Sequence, residues 1–348
     1  MIKAGIIGIT GYAGAELMRI LSAHPEVKVV YAGSKSYAGQ NYADIYSNFR
    51  GVFEETLKAE DLAEAAEEAD VVFTATPQGY LAGVLTKDLL SKAKFIDLSA
   101  DFRIKDVSVY EKWYQLKHQA PELIKDAVYG LCELYREEIK KTRLLANPGC
   151  YTTCSILATY PLVKEGIIDP DTLVIDAKSG TSGAGRGAKT QNLFCEVNES
   201  IKAYAVGTHR HTPEIEQELS KAAGSEIRLS FVPHLVPMNR GILVTAYAKV
   251  KTQKFPTYQE IKDIYNNYYG DCKFIRLLPE GVNPETRWVH GSNFTDLNVV
   301  MDERTGRILM LGALDNLVKG AAGQAVQNMN LMFGLPEEMG LDLVPSFP

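Results

Sequence analysis

The stretch LANPGCYTTCSILA, residues 145–158, organises the rest of the chain. It predicts a short apolar strand, a tight turn and then a helix, because Pro148 and Gly149 end the strand and turn the chain. The apolar spacing after the turn is helical as far as residues 162–163, so Cys150 is expected in the first helical turn. A thiol there faces unpaired backbone N–H groups and the positive end of the helix dipole, which favour the thiolate. The segment therefore predicts a nucleophile, with a buried structural cysteine as the alternative.

Length and composition limit the architecture and the partners. At about 150 residues per domain, 348 residues predict two domains. A net charge of −6 without long blocks of like charge argues against nucleic acid as a partner. No apolar run approaches the roughly 18 residues of a membrane span, and the N-terminus enters a strand at once, so we expect a cytoplasmic protein without a signal peptide or membrane partner. The 5 irregularly spaced cysteines indicate reduced thiols rather than a disulfide framework.

The start of the chain carries a glycine pattern typical of dinucleotide sites. Residues 3–8 predict a buried strand, residues 8–14 read GITGYAG, and residues 15–23 predict an amphipathic helix. Strand, glycine turn and helix form the context that such a site requires. Gly11 allows close approach of a pyrophosphate, and Gly14 allows the helix to pack closely on the strand. The alternative is a turn without a ligand. The predicted cofactor-binding residues of the turn are Gly8, Thr10, Gly11, Tyr12 and Gly14.

The residues after the second strand favour NADP(H) over NAD. The strand at 27–32 is followed by Gly33, Ser34, Lys35 and Ser36, without the Asp or Glu that binds the ribose in an NAD site. Two hydroxyls and a cation suit a 2′-phosphate, although ordinary turn residues are the alternative. The strand that begins at residue 70 ends at Pro77, which we expect over the cofactor.

Strands and helices alternate through the first half of the chain, which predicts a Rossmann-type parallel sheet. Arg103 follows the strand at 94–98, at the sheet edge where ligands bind in such folds. Its planar guanidinium suits a phosphate or a carboxylate of the substrate. A surface salt bridge is the alternative reading of this arginine.

The pattern changes after residue 161 to strands with fewer helices between them. This predicts an α+β catalytic and dimerisation domain with a mainly antiparallel sheet. The predicted strands are 173–178, 201–206, 227–233, 242–250 and 293–301. A final helix over 314–332 is expected to return to the first domain. We therefore predict an NADP-binding domain from 1–148 and 315–348, and a second domain from 149–314.

A glycine-rich loop, KSGTSGAGRG, occupies residues 178–187. Backbone N–H groups in such loops form anion-binding nests. We expect Ser179 and Gly183 to contact the cofactor and Arg186 to contact the substrate. A flexible surface loop is the alternative.

A thiol mechanism also requires a proton-transfer group that works near neutral pH, for which histidine is the usual choice. Residues 209–214, HRHTPE, place two histidines, an arginine and a glutamate at the start of a predicted helix. His209 ranks first and His211 second, and Glu214 is expected to orient a histidine. Capping and solvated residues are the alternative. Cys150 and Cys154 lack the second ligand pair of a zinc site, so no metal is expected.

These segments together resemble the semialdehyde dehydrogenase superfamily and, within it, are similar to the N-acetyl-gamma-glutamyl-phosphate reductases of arginine biosynthesis. The segments that carry the resemblance, in family order, are 8–14, 98–103, 147–153, 178–187, 209–215 and 315–323. The resemblance implies Cys150 as the covalent nucleophile and His209 as the acid–base group, supported by His211 and Glu214. It also implies a homodimer or homotetramer. Further residues assigned on this basis are Arg103 and Asn147 for the substrate, and Asn316 and Gly320 near the nicotinamide.

The reaction implied by the resemblance proceeds through a thioester. The Cys150 thiolate attacks N-acetyl-L-glutamyl 5-phosphate, phosphate leaves, NADPH reduces the thioester, and the hemithioacetal collapses to the semialdehyde while His209 supplies a proton. Related enzymes acting on aspartyl phosphate or on an N-blocked aminoadipyl phosphate are alternatives, since one methylene is discriminated by only ~10–200-fold. A catalytically silent NADP-binding sensor and a thiol redox protein using Cys154 are further alternatives.

Overall fold

A computed structural model describes residues 1–252 and 254–347, so Pro348, the last residue of the predicted first domain, lies outside it. The chain divides into two compact units. The first contains residues 1–148 and 321–342, and the second contains 149–320 and the stretch that begins at 343. Residues 315–320 were expected in the first domain. They belong to the second unit, where the Asp315 carboxylate accepts a hydrogen bond from the Gly291 N–H at 2.8 Å.

The strands of the first unit form one parallel sheet. Within the described residues its order is β2-β1-β3-β4-β6-β5, which confirms the predicted Rossmann-type domain. The strand order reverses at β1, so a crevice opens beyond the carboxyl ends of β1 and β3. The strands are β1 Ile2–Ile7, β2 Val27–Gly33, β3 Val71–Thr74, β4 Lys94–Asp97, β5 Ala127–Tyr129 and β6 Leu144–Ala146. The helices are α1 Tyr12–Ser22, α2 Tyr42–Ile45, α3 Leu62–Glu68, α4 Tyr80–Val84, α5 Lys87–Lys92, α6 Val107–Tyr114 and α7 Cys132–Ile139.

The second unit is built on a mixed sheet of order β11-β12-β13-β10-β7-β9-β8 within the described residues. Its pairs are antiparallel except β11 with β12 and β7 with β9, so the predicted mainly antiparallel sheet is confirmed. The strands are β7 Val174–Ser179, β8 Lys202–Ala203, β9 Ser230–Leu235, β10 Ile242–Lys249, β11 Ile275–Leu277, β12 Thr295–Asp302 and β13 Arg307–Leu314. The helices are α8 Cys150–Lys164, α9 Phe194–Val197, α10 Thr212–Ala223 and α11 Tyr258–Tyr269.

The predicted helix over 314–332 is wrong over residues 314–317, and the helix begins with a π-helical turn. Strand β13 ends at Leu314, a π-helical turn spans Val318–Ala322, and helix α12 covers Gly323–Met332. The Asp315 carboxylate accepts hydrogen bonds from the backbone N–H groups of residues 317 and 318, at 2.8 and 3.2 Å, and so forms the turn before the helix. Every residue of α12 is buried, as expected for a helix inside the first unit.

Helix α8 is held tightly against the second sheet. A Cβ added to Gly312 of β13 would lie 3.0 Å from the Cys154 Sγ, so a larger residue at this strand position would require the Cys154 side chain to shift. On the other side, the Tyr269 hydroxyl of α11 donates a hydrogen bond to the Leu157 carbonyl at 3.1 Å. These contacts fix the axis of α8 and therefore the position of Cys150 at its first turn.

Candidate active site

Cys150 is the first residue of α8, as the sequence predicts. Gly149 is the N-cap, with extended backbone angles of φ −71° and ψ 152°, and it contributes no capping side chain. The Cys150 thiol is half-buried, whereas Cys154, one turn later, is fully buried. Burial raises the pKa of the Cys154 thiol, so this residue packs in the core and is a poor redox partner.

Because Gly149 has no side chain to cap α8, the N-terminus of this helix is held by Glu214 instead. Its fully buried carboxylate accepts a hydrogen bond from the Gly149 N–H at 2.9 Å and another from the Thr152 hydroxyl at 2.8 Å. Glu214 lies in the first turn of α10, so the beginnings of the two helices are tied together. The sequence predicts that Glu214 orients a histidine, and it does not predict this link to the nucleophile helix.

Two glycines allow close packing around Cys150. A Cβ added to Gly149 would overlap the His211 ring at Nε2, so the ring lies directly on the residue before the nucleophile. A Cβ added to Gly320 would lie 2.8 Å from the Cys150 Cβ. The predicted site residues Cys150, His211 and Gly320 are therefore brought together within the second unit.

His209 lies in a cage of aromatic rings beside the nucleophile helix. The ring centroids of Tyr151, Tyr204 and Phe231 lie 5.6, 5.5 and 5.3 Å away, and that of His211 lies 4.8 Å away. Burial, followed by the charges of His211 and Arg210, lowers the pKa of His209 to about 2, against an opposing effect of Glu214. The imidazole is therefore neutral at neutral pH.

Two tyrosines of this cage were not predicted from the sequence. The Tyr204 hydroxyl lies 3.2 Å from that of Tyr151, which also hydrogen bonds the His234 carbonyl at 3.2 Å. The Ser179 hydroxyl contacts the same tyrosine, so Ser179 positions Tyr151. Burial raises the pKa of Tyr204 to about 12 and that of Tyr151 as well, so both phenols stay protonated. The adjacency of Tyr151 to Cys150 was the one signal available in the sequence.

Asn316 holds the glycine-rich loop in place. Its Oδ1 accepts the Gly241 N–H at 2.7 Å, and its Nδ2 donates to the Ser182 Oγ at 2.9 Å. Gly183 follows in a short turn, where an added Cβ would lie 3.3 Å from the Ser179 Oγ. Arg186 is exposed farther along the loop. This second group of predicted residues therefore also belongs to the second unit.

The glycine turn of the first unit has the shape that a pyrophosphate requires. Gly8 has φ +80°, and a Cβ there would overlap the Ala75 carbonyl. A Cβ on Gly14 would overlap the Gly8 carbonyl, which explains the close packing of α1 on the strand. Gly11 caps α1 without a side chain, and an added Cβ would meet only the Gly8 carbonyl, at 3.5 Å. The helix N-terminus is thus open to an anion.

The residues after β2 also fit the predicted NADP(H), except that Ser34 packs against the glycine turn. Ser34 is buried, and its hydroxyl lies 2.8 Å from the Thr10 hydroxyl, so it supports the glycine turn. Lys35 and Ser36 are exposed, as are Tyr12 and Pro77 at this sheet edge. The Lys35 N–H donates to the Glu60 carboxylate, whose pKa burial raises. Glu60 was not predicted, because it is 25 residues away in the sequence.

Two predicted substrate residues are largely committed to the fold of the first unit. Arg103 is buried, and its Nη2 donates to the Leu98 carbonyl at 2.7 Å. The Asn147 amide donates to the Ala321 carbonyl at 3.1 Å and accepts from the Asn328 Nδ2 at 3.2 Å. Both ends of the Asn147 side chain are therefore hydrogen-bonded within the first unit, and its contact with substrate stays a prediction.

Over residues 1–252 and 254–347, no group of three or more His, Cys, Asp or Glu side chains is arranged to hold a metal ion. In the same ranges, none of the helices combines the length and apolar character that spanning a membrane would require.

Two family models cover most of the chain. The model described as semialdehyde dehydrogenase, NAD binding domain, matches residues 3–142. The model described as semialdehyde dehydrogenase, dimerisation domain, matches residues 150–316. Among solved structures, aspartate semialdehyde dehydrogenase with NADP from Candida albicans superimposes with a TM-score of 0.71 at 17% identity, over 96% of this chain and 99% of that one. This likeness shows the shared fold.

Curated relatives are similar over their whole length. An N-acetyl-gamma-glutamyl-phosphate reductase from Lachnoclostridium phytofermentans is 62% identical over 348 residues, covering 100% of both chains. The protein of the same name from Campylobacter jejuni is 58% identical over 341 residues, covering 98% of both. This chain therefore belongs to the N-acetyl-gamma-glutamyl-phosphate reductase family of the semialdehyde dehydrogenases.

Proposed function

We propose that this chain catalyses the NADPH-dependent reduction of N-acetyl-L-glutamyl 5-phosphate to N-acetyl-L-glutamate 5-semialdehyde and phosphate. The observation that carries the proposal is the half-buried Cys150 at the first turn of α8, beside the cage around His209. The name shared by relatives at 58–62% identity supports the choice of substrate.

Cys150 acts as the nucleophile. Its sulfur adds to the acyl carbon of the substrate, and the carbon–oxygen bond to phosphate breaks, which leaves an acyl group on the thiol. The positive end of α8 favours both the thiolate and a nearby oxyanion. Glu214 holds the beginning of this helix through Gly149 and Thr152, so that the sulfur keeps its position during the addition.

His209 acts on the oxygen of the same substrate carbon. It lies next to Tyr151, one residue from the nucleophile, with His211 packed between its ring and Gly149. The aromatic rings packed around it lower the local polarity, which strengthens any hydrogen bond that the imidazole makes to the substrate.

The first unit holds NADP(H). Gly8, Gly11 and Gly14 would accommodate its pyrophosphate, and Lys35 and Ser36 would contact its 2′-phosphate. When bound, the reduced cofactor supplies the hydride that converts the acyl group to an aldehyde. In the second unit, Asn316 and Ser182 keep the glycine-rich loop folded, and Arg186, exposed farther along the loop, is the residue that we expect to contact the substrate.

The protein is expected to work as a homodimer or homotetramer. The match of residues 150–316 to a domain described as the dimerisation domain supports assembly through the second unit. Size-exclusion chromatography with light scattering would test this, because a monomer at assay concentration contradicts it.

The reaction is tested in reverse, as phosphate-dependent reduction of NADP by N-acetylglutamate 5-semialdehyde. Cys150→Ala serves as the nucleophile control, and Cys195→Ala, which removes an exposed thiol, as the matched control. We expect turnover that disappears only in Cys150→Ala. Preference for aspartate semialdehyde, or for the substrate one methylene longer, would overturn the substrate assignment. Bound NADP without turnover would favour a sensor.

A further inference from the structure

The turn that follows β13 is organised by Asp315, whose side chain is fully buried. The carboxylate Oδ1 accepts hydrogen bonds from the N–H groups of Leu317 and Val318, at 2.8 and 3.2 Å. Its Oδ2 accepts the Gly291 N–H at 2.8 Å. The two oxygens therefore bind two different segments of the second unit, one inside the turn and one outside it.

The backbone of Asp315 closes the other end of this turn. The Gly320 N–H donates to the Asp315 carbonyl at 2.9 Å, five residues back along the chain instead of the four of an α-helix. This is the hydrogen-bond pattern of the π-helical turn Val318–Ala322, and such turns are frequent at functional sites. Residues 315–320, which we call the Asp315 turn, are therefore held by one residue through both its side chain and its carbonyl.

Gly320 brings the Asp315 turn into contact with the nucleophile. A Cβ added to Gly320 would lie 2.8 Å from the Cys150 Cβ and 3.2 Å from the Cys150 Cα. It would also lie 3.4 Å from the Asp315 carbonyl oxygen. The α-carbon of Gly320 thus faces Cys150 and the Asp315 backbone together, so a displacement of the turn changes what the nucleophile packs against.

The loop on the other side of the Asp315 carboxylate is itself held in place. His290, the residue before Gly291, is hydrogen-bonded to the C-terminal stretch of the second unit. The Ser346 N–H donates to the His290 carbonyl at 3.0 Å, and the Ser346 hydroxyl lies 3.0 Å from the His290 Nδ1. Arg240 adds a contact between charges, with its Nη1 3.5 Å from the Asp315 Oδ2. The carboxylate therefore anchors the Asp315 turn to a loop and a cation that lie outside it.

Capping of the turn alone would not require a carboxylate. Ser, Thr and Asn side chains also accept from backbone N–H groups at such positions. Burying a charge is costly unless it is paired and hydrogen-bonded. What the carboxylate adds is its second oxygen, which connects the turn to Gly291 and Arg240. This arrangement is suited to holding the turn at a fixed distance from Cys150.

We propose that Asp315 is a positioning residue of the reaction, which holds Gly320 against Cys150 and so sets the position of the nucleophile. This inference rests on the function proposed above, in which Cys150 is acylated. Misplacement of a reacting group by about 1 Å is enough to reduce kcat roughly 10²-fold. Asp315 acts through Gly320 and not on the substrate, so its loss should lower kcat and leave the NADP affinity of the first unit unchanged.

A double-mutant cycle on kcat tests whether Asp315 acts through Gly320. Asp315→Ala removes both acceptor oxygens and Gly320→Ala adds a methyl group against Cys150, so each should lower kcat roughly 10²-fold. In the double variant the turn is no longer held and the methyl group finds room, so the combined loss should stay at roughly 10²–10³-fold. A combined loss of about 10⁴-fold, the product of the two, would show that the residues act independently and overturn the proposal. A normal kcat in Asp315→Ala would overturn it as well.

Asp296→Ala is the matched control for Asp315→Ala. Asp296 is a buried carboxylate of β12 in the same unit, and its Oδ1 pairs with the Arg276 Nε. Removing one partner of such a pair also lowers stability. Both variants should therefore unfold at lower urea concentrations than the parent, but Asp296→Ala should keep the parent's kcat where it is folded. An equal loss of kcat in the two would assign the effect to general stability and overturn the proposal.

Hydrogen exchange of the unmodified chain gives a readout independent of activity. The N–H groups of residues 317, 318 and 320 are all bonded to Asp315, so a peptide covering 316–321 should retain them as slowly exchanging amides. Exchange as fast as that of the exposed stretch 185–189 would overturn the proposal even if the variants failed to fold.

The same assays distinguish failure of this inference from failure of the proposed function. Turnover of N-acetylglutamate 5-semialdehyde that is retained in Cys150→Ala would refute the proposed function, and this inference with it. Turnover that depends on Cys150, together with independent losses in the double-mutant cycle, would overturn this inference alone.

Discussion

The Glu214 carboxylate accepts a hydrogen bond from the Gly149 N–H at 2.9 Å, across 65 residues of sequence. The same oxygen accepts the Thr152 hydroxyl at 2.8 Å. Glu214→Ala leaves the buried Gly149 N–H without this acceptor, whereas the Thr152 hydroxyl keeps the Gly149 carbonyl at 2.6 Å, so the expected cost is about 1–3 kcal/mol in unfolding free energy. Glu214→Gln keeps an acceptor oxygen and should lose less. Urea unfolding of the two variants measures the difference, and equal stabilities would contradict the assignment of Glu214 as the cap of α8.

Gly149→Ala should inactivate the enzyme without unfolding it. The added methyl group overlaps the His211 ring, so either the ring or the beginning of α8 must move. Misplacement of a reacting group by about 1 Å is enough to reduce kcat roughly 10²-fold. The measurement is kcat together with the rate of Cys150 alkylation by iodoacetamide.

Gly83→Ala is the matched control for Gly149→Ala. Gly83 lies in α4, and an added Cβ meets no atom within 4 Å. It should keep full activity and gain up to about 1 kcal/mol in stability, as expected for alanine in a helix. Normal kcat in Gly149→Ala would show that the close approach of His211 is unimportant for the reaction.

Lys35→Gln should weaken NADP binding selectively. It removes the cation expected at the 2′-phosphate but leaves the neighbouring Glu60 carboxylate, so NADP should bind roughly 10–100-fold more weakly while NAD binding changes little. The double variant Lys35→Gln with Glu60→Gln should recover part of the loss, because the repulsion is gone. Titration calorimetry with both cofactors measures this. An equal loss for NAD and NADP would place the 2′-phosphate elsewhere. Lys140→Gln on the surface is the charge control.

Asp97 should make the stability of the protein depend on pH. Burial, together with the charge of Asp101, raises the pKa of Asp97 from 3.8 to about 6. The folded state then binds the proton more tightly than the unfolded state. The free energy of unfolding therefore falls as the pH rises from 3.8 to about 6.

Asp97→Asn should flatten that dependence. An amide can accept from Thr74 and from the Ser99 N–H in place of the carboxylate, so the variant should gain about 1–3 kcal/mol relative to the parent between about pH 4 and pH 7. Urea unfolding at both pH values measures the gain. Asp88→Asn, which changes an exposed carboxylate, should leave the slope as it is. If the unfolding free energy of Asp97→Asn depends on pH as steeply as that of the parent, another group causes the dependence.

Local signals in the sequence were sufficient to place the nucleophile and the glycine turn. Cys150 begins α8 because a Pro-Gly pair cannot continue the strand and the residues after it have helical apolar spacing. Strand β13 was not predicted, because the apolar run 308–314 lacks the alternation of a half-buried strand. The segment becomes a strand because it pairs with β10 on one edge and with β12 on the other.

The links between distant residues could not be predicted from the sequence. His209 was ranked first from its motif, but its cage includes Tyr204 and Phe231, which reach it only through folding of the second unit. Glu60 beside Lys35 is likewise a tertiary neighbour. Spacing along the chain identifies residue types suited to a reaction, whereas pKa shifts and tautomers depend on what surrounds them.

The return of α12 to the first unit determines the order in which the protein can fold during synthesis. A ribosome releases residues 1–148 and then all of 149–320 before it makes the buried helix at 323–332. Residues 149–320, the main part of the second unit, are made without interruption and can fold as they emerge, whereas the N-terminal unit must wait for the last tenth of the chain. A message truncated near its 3′ end would therefore damage the part of the protein that was translated first.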